Sequence, residues 1–147
     1  MGAQVVIASR SGEKCEAYAA ELRAAGYAAV GMSLDLNDDD SIKRFSAAVV
    51  ERFGRIDILV NNAVDRRNMT SLANATRQKL QDSVSTNLNG QILLSQAVLD
   101  YMIPQKSGSI INISSMRGLD SPHFPFYPDT FGDQPVNYTT EKWAMVG

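Results

Sequence analysis

The chain has 147 residues, 44 % apolar and 20 % charged, with a formal net charge of −2; this is the profile of a soluble globular domain long enough to bury a core. Near-neutral charge with scattered Lys and Arg argues against a nucleic-acid partner, and no apolar run or basic-then-apolar leader points to a membrane. A lone cysteine, Cys15, and a lone histidine, His123, leave no disulfide framework and no Cys/His zinc site, so a reducing, cytoplasmic setting without metal is expected.

Taken in order, Gln4 to Ala8, "QVVIA", is a short β-branched run that predicts a buried strand. Ser11 stands where a helix N-cap belongs, Glu13 to Ala25 is rich in helix formers, and Gly26 is a natural stop. A second strand is expected over Ala28 to Ser33. The aspartates of "LDLNDDD" then suit the positive end of a helix, in which Ile42, Phe45, Val49 and Phe53 recur at helical spacing before Gly54. "IDILVNNA" predicts a third strand. A long helical segment is expected from Asn74 to Met102, with Leu80, Val84, Leu88 and Leu94 apolar and with Pro104 and Gly108 closing it. The triplet Asn74-Ala75-Thr76 is taken as a chance sequon. "SIINIS" predicts a fourth strand. From Arg117 to Val136 the chain carries four of its five prolines and several aromatics. Residues 116–137 therefore form a long loop, of the kind that is usually functional in a compact domain. Alternating strands and helices indicate an α/β fold with a parallel sheet, as one domain over residues 1–147.

Ligands in open α/β sheets bind beyond the carboxyl ends of the strands. Each predicted strand here ends in polar residues: Ser9-Arg10, Asp35, Asn61-Asn62 and Ser114-Ser115. Four such endings suggest a lined crevice. Tyr138 and Lys142 follow the last strand at i and i+4, so they share one helical face. An ammonium beside a phenol favours the phenolate, which equips Tyr138 to donate or accept a proton. A nearby serine hydroxyl can hold a carbonyl oxygen as charge develops on it.

"NNA" after a strand, "TNLNG" within a long helix, "NISS" ending the next strand and Tyr-x-x-x-Lys beyond it occur in that order. In this the chain resembles the short-chain dehydrogenase/reductase family over nearly its whole length. The resemblance implies a doubly wound, Rossmann-like parallel sheet and an NAD(P)-dependent carbonyl reductase or alcohol dehydrogenase. Tyr138 would be the general acid/base, and Lys142 would tune it and bind the nicotinamide ribose. Ser115, ahead of Ser114, would polarise the substrate carbonyl. Asn87 would hold a water in the proton relay. Asn61 and Ala63 would lie along the cofactor, and Asp35 beside the adenine. Family members that use NAD usually carry an acid after the first of these strands. Ser9 and Arg10 stand there instead, and a guanidinium suits a 2′-phosphate, so NADP is expected, with NAD the alternative. Implied partners are a small carbonyl or alcohol substrate and further copies of the chain, in a dimer or tetramer.

Plainer readings stand beside these. Ser9-Arg10 can be a polar turn, Asp35 a helix cap, Cys15 a small apolar residue on a buried face, and His123 a surface residue. Phe124, Phe126, Tyr127 and Phe131 can simply anchor the loop. The sequence also departs from the family pattern. Val64 replaces the glycine that usually follows "NNA". The loop before Tyr138 is long, aromatic and proline-rich, as in family enzymes acting on sugar-derived or polyol substrates, where Asp129 and Asp133 would meet hydroxyls. No G-x-G-x-x-G occurs. In the family the strand and glycine-rich turn that cradle the pyrophosphate precede Gly2, between "QVVIA" and "IDILV" in the order 3-2-1-4-5. The chain is thus expected to be an incomplete, internal part of a longer enzyme. The alternative is a non-catalytic truncated member acting through subunit association.

Overall fold

The computed structural model describes residues 2–120 and 135–146. His123, Phe124, Phe126, Tyr127, Asp129 and Phe131, and with them Asp133, lie outside the described residues. Among the described residues four strands and five α-helices alternate along the chain. They group into two compact units, residues 1–57 with 93–109, and residues 58–92 with 110–147.

In the first unit, β1 (Val5–Ser9) and β2 (Ala29–Ser33) pair in parallel, with Val5 opposite Ala29 and Ser9 opposite Ser33. Between them runs α1 (Gly12–Ala24). Its N-cap is Ser11, whose hydroxyl accepts the Lys14 N–H, and Gly26 follows its end at φ 87°. Helix α2 (Asp39–Phe53) is capped by Asp38, whose side chain accepts the Asp40 N–H, and Gly54 closes it at φ 78°. Asp39 and Asp40 add charge where the helix dipole favours it. The interior of this unit is apolar: Cys15 and Ala19 of α1, Ala29 and Val30 of β2, Ile42 and Val49 of α2, and Leu94, Val98 and Met102 of a later helix are all buried. Cys15 is thus a buried small residue, as its position on α1 suggests.

The second unit carries β3 (Ile58–Asn61) and β4 (Ser109–Asn112), which are neighbours. The Ser109 N–H donates to Asp57 O, and the Ile113 N–H donates to Asn61 O. Partners that advance together along both chains mark a parallel pair. Parallel strands joined through helices are the α/β architecture expected, and both neighbour pairs agree with the 3-2-1-4-5 order.

The long helical segment differs from its expected form. It starts at Arg77, not Asn74, because the Thr76 hydroxyl caps it by accepting the Lys79 N–H, while Asn74 belongs to the turn before it. Helix α3 (Arg77–Val84) passes through a π-turn (Ser85–Asn89) into α4 (Gly90–Gln105). Pro104 is tolerated inside the last turn of α4. Lys106, in the left-handed region at φ 53°, ends the helix, rather than Gly108. The Gln105 amide then both accepts from Ile56 N–H and donates to Ile56 O, which fixes the approach to β3. Most of the expected 116–137 loop, residues 121–134, lies outside the described residues; at its two ends a 3-10 turn occupies Met116–Gly118 and α5 (Val136–Ala144) begins at Val136.

Candidate active site around helix α5

The second unit has a polar interior. Asn61, Asp65, Thr70, Ser71, Ser83, Asn87, Gln91, Asn137, Glu141 and Lys142 are all buried there, whereas Ser46 is the buried polar residue of the first unit. Buried polar groups are stable only when hydrogen-bonded to one another, so such an interior specifies geometry closely.

Lys142 is 6 % exposed. Its ammonium donates to Ile113 O at 2.7 Å, touches Met145 Sδ at 3.4 Å, and lies 5.9 Å from the centre of the Tyr138 ring. The shared helical face read from the Tyr-x-x-x-Lys spacing is therefore present. One strong donation leaves an ammonium with capacity for further acceptors. Ser114 donates its hydroxyl to Lys142 O at 3.0 Å, tying the segment after β4 to α5. Ser115 is the N-cap of the 3-10 turn, where its Oγ accepts the Arg117 N–H at 3.2 Å. A hydroxyl that accepts in this way keeps its own proton to donate. Gly118 closes the turn against α5: a Cβ there would lie 2.5 Å from Lys142 O.

Asn87 sits in the π-turn, a feature often found at functional sites. It is 3 % exposed. Its Oδ1 accepts the Asp65 N–H at 2.6 Å, while Nδ2 faces Asp65 O, Ser83 Oγ and Glu141 Oε2 at 3.1, 3.2 and 2.9 Å. Gln91 donates to Ala63 O and to Asn87 O. Four residues of helix rise about 6 Å, close to two residues of extended chain at about 6.6 Å. Asn87 and Gln91 can therefore hold Asp65 and Ala63 in step. Asn61, at the end of β3, donates to Asn112 Oδ1 of β4. The structure thus links Asn61, Ala63, Asn87, Ser115, Tyr138 and Lys142 within one unit.

Ser9, Arg10 and Asp35 lie in the other unit, at the carboxyl ends of β1 and β2. The Ser9 hydroxyl donates to Ser11 O and meets Cys15 Sγ at 3.0 Å, and the Arg10 carbonyl accepts from the Ser33 hydroxyl. Asp35 does not cap α2. Its Oδ1 accepts the Asn37 N–H and its own N–H donates to Ser41 Oγ, which shapes the turn that Asp38 then caps.

Several buried residues of the site escaped sequence reading. Asn137 accepts the Thr70 N–H and donates to Asn68 O and Ser83 Oγ, pinning the stretch before α3 to α5. Glu141 holds Asn87 through Oε2, while its Oε1 is buried without a hydrogen-bond partner. Asp65 is clasped by the Arg67 guanidinium. Asn137 and Glu141 repeat the i, i+4 spacing of Tyr138 and Lys142, and that repetition was the available signal.

The sequence matches the model of the family described as short chain dehydrogenase over residues 1–130. The chain belongs to the short-chain dehydrogenase family. Family members are oxidoreductases. The 3-oxoacyl-[acyl-carrier-protein] reductase of Thermotoga maritima is 36 % identical over 118 residues, covering 78 % of this chain and 42 % of that protein. The D-threitol dehydrogenase of Mycolicibacterium smegmatis is 35 % identical over 149 residues, covering 99 % of this chain and 52 % of that protein. Among solved structures, a gluconate 5-dehydrogenase from Burkholderia cenocepacia in complex with NADP and tartrate superposes with a TM-score of 0.82 at 29 % identity, over 97 % of this chain and 52 % of that one. The chain spans about half the length of the curated relatives it matches. No helix among the described residues is long and apolar enough to cross a membrane.

Proposed function

We propose that this chain carries the catalytic apparatus of an NADP-dependent carbonyl reductase or alcohol dehydrogenase acting on small hydroxylated, sugar-derived or polyol substrates. The observation that carries it is the buried Lys142 ammonium beneath the Tyr138 ring, on a helix held to the Ser114-Ser115 turn. Tyr138 exchanges the proton with the substrate oxygen. Lys142 places positive charge next to the phenol oxygen's path and offers its remaining donors to the cofactor ribose. Ser115 keeps a hydroxyl proton for the carbonyl oxygen, and Asn87 fixes the backbone of residues 63–65 along which the cofactor would lie. NADP supplies the hydride when bound.

The residues present suit that cofactor. Arg10 is an exposed cation at the carboxyl end of β1, beside the Ser9 and Ser11 hydroxyls, where a 2′-phosphate would be held. Asp35 would face the adenine from the end of β2. The D-threitol and gluconate dehydrogenases named above support a hydroxylated substrate, and the NADP in the latter supports the cofactor.

The test is Tyr138→Phe in the complete gene product carrying this sequence. NADPH-dependent carbonyl reduction should fall on the order of 10²- to 10⁴-fold, the worth of a positioned proton donor, with NADP affinity retained. Undiminished turnover in the variant would remove Tyr138 from the mechanism.

Association is a second reading, favoured by Leu99 and Ile103 of α4, which are apolar, one turn apart and 39 % and 68 % exposed. Co-purification of the 147-residue chain with an intact homologue, lost in Ile103→Lys, would support it.

A further inference from the structure

Glu141 is buried and uses its two oxygens unequally. Oε2 accepts from Asn87 Nδ2 at 2.9 Å, while Oε1 has no hydrogen-bond partner among the described residues. A buried oxygen left unpaired costs stability, and the bond at Oε2 returns little of it. The Asn87 amide has two protons for three acceptors, Glu141 Oε2, Asp65 O at 3.1 Å and Ser83 Oγ at 3.2 Å. Without Glu141 neither proton is stranded. Nor does α5 need the glutamate to be seated. Asn137 ties that helix to Asn68, Thr70 and Ser83, and Lys142 ties it to Ile113 and Ser114. What the carboxyl group adds is geometric. From a position three residues after Tyr138 and one before Lys142, it joins α5 to the π-turn, at the residue whose Oδ1 accepts the Asp65 N–H at 2.6 Å.

We propose that Glu141 is a positioning residue, kept at a cost in stability, which acts through Asn87 to hold the backbone of Asp65 in register with Tyr138 and Lys142. This rests on the reading of Tyr138 as the proton donor and of residues 63–65 as the segment along which the cofactor lies. Asn87 is fixed from both sides. Its Oδ1 meets a backbone N–H, which only donates, and its Nδ2 meets the Glu141 oxygen. A reversed amide would set Oδ1 against Oε2 and Nδ2 against the Asp65 N–H, so both contacts select one orientation. A planar amide between two short hydrogen bonds is a stiff strut from α5 to residue 65. A slip of about 1 Å between reacting groups costs on the order of 10²-fold in rate, and this strut is what limits the slip.

The test compares two variants of the complete gene product. Glu141→Met keeps an unbranched chain without the oxygen, and Glu141→Gln keeps an acceptor for Asn87 Nδ2. In the ligand-free protein, hydrogen exchange at the Asp65 N–H should quicken about tenfold in Glu141→Met, the worth of one hydrogen bond. Exchange within α5 should not change, and the melting temperature should hold or rise. In turnover with NADPH, kcat should fall about tenfold while the NADP dissociation constant changes little. Glu141→Gln should restore both the Asp65 protection and kcat. The proposal is overturned if Asp65 protection or kcat is unchanged in Glu141→Met, or if Glu141→Gln restores neither. It is also overturned if Glu141→Met lowers protection throughout residues 58–92 and 110–147 together with the melting temperature, which would make the role structural only. Exchange and melting need neither cofactor nor substrate, so they separate the two claims: full turnover in Tyr138→Phe would end the catalytic reading and leave the Asp65 result standing.

Discussion

Replacing Gly118 with alanine adds one carbon at the point where the Ser115 turn meets α5, the helix proposed to carry the proton donor. That carbon would sit 2.5 Å from Lys142 O and 2.6 Å from Ser114 Oγ, about 0.9 and 0.8 Å short of ordinary contact. Ser114 can rotate away only by giving up its hydrogen bond to Lys142 O. Lys142 O belongs to a helix and cannot move alone, so the turn or α5 must shift by most of an ångström. Overpacking of this kind costs about 1–3 kcal/mol. A misplacement near 1 Å costs on the order of 10²-fold in rate, and here it separates Ser115 from Tyr138 and Lys142. In the complete gene product, Gly118→Ala should therefore lose turnover far more than it loses stability, with kcat falling on the order of 10²-fold and KM changing little. Adding Ser114→Gly removes one of the two obstacles and should restore part of the packing but not the bond. A variant with unchanged kcat and unchanged melting temperature would refute the close approach as a catalytic constraint.

In the first unit, Gly31→Ala should be more damaging, because its Cβ would meet the backbone of Cys15 and Glu16 at 2.0–2.4 Å and α1 would have to lift off β2; loss of the cooperative melting transition is expected, and normal melting would contradict the packing. Asn137→Ala strips partners from the Thr70 N–H, Asn68 O and Ser83 Oγ. At about 1–3 kcal/mol per stranded buried group, roughly 3 kcal/mol should be lost in denaturant titration, and a loss below about 1 kcal/mol would mean water replaces the amide. The Gly31 N–H and then the Arg23 guanidinium hold Glu16 below its ordinary 4.5, and the Ser41 N–H, followed by Asp40 and Arg44, holds Asp38 below 3.8. A lowered folded value adds stability that is complete above the ordinary value and is lost as the pH falls below it through the folded value. Glu16→Gln and Asp38→Asn should each flatten the acid side of the melting-temperature profile, below about pH 4.5, while an unaltered acid limb in both variants would show that these carboxylates are not what acid attacks.

Local chemistry made much of the fold readable. Ser11 caps α1 because a hydroxyl there reaches an orphan N–H, and Gly54 ends α2 because it adopts a positive φ cheaply. Asp35 was less readable than Asp38 because four aspartates within six residues all suit a helix start, and only the fold decides which carboxylate reaches the N–H. Pro104 looked like a stop, yet a proline in the final turn removes a bond that the helix can lose, so α4 runs on to Gln105. In the candidate site, the shared face of Tyr138 and Lys142 was legible from spacing. Asn137 and Glu141 were not, since their partners Ser83 and Asn87 stand 54 residues away in sequence, and a polar helical residue usually faces water.

The π-turn at Ser85–Asn89 explains how one helix can feed so many buried bonds. Ser83, Asn87 and Gln91 are spaced four apart and all three are buried. In a straight α-helix each four-residue step turns about 400°, so Gln91 would be rotated about 80° from Ser83 and drawn away from Ala63. A π-turn closes its hydrogen bond over five residues instead of four, as Gly90 N–H does here onto Ser85 O. The wider turn brings the four-residue step nearer to one revolution and keeps the three polar side chains on one line. Ser83 then reaches Asn137, Asn87 reaches Glu141 and Asp65, and Gln91 reaches Ala63. The irregularity is thus the device that lets a single helix hold both the segment after β3 and the helix bearing Tyr138 and Lys142.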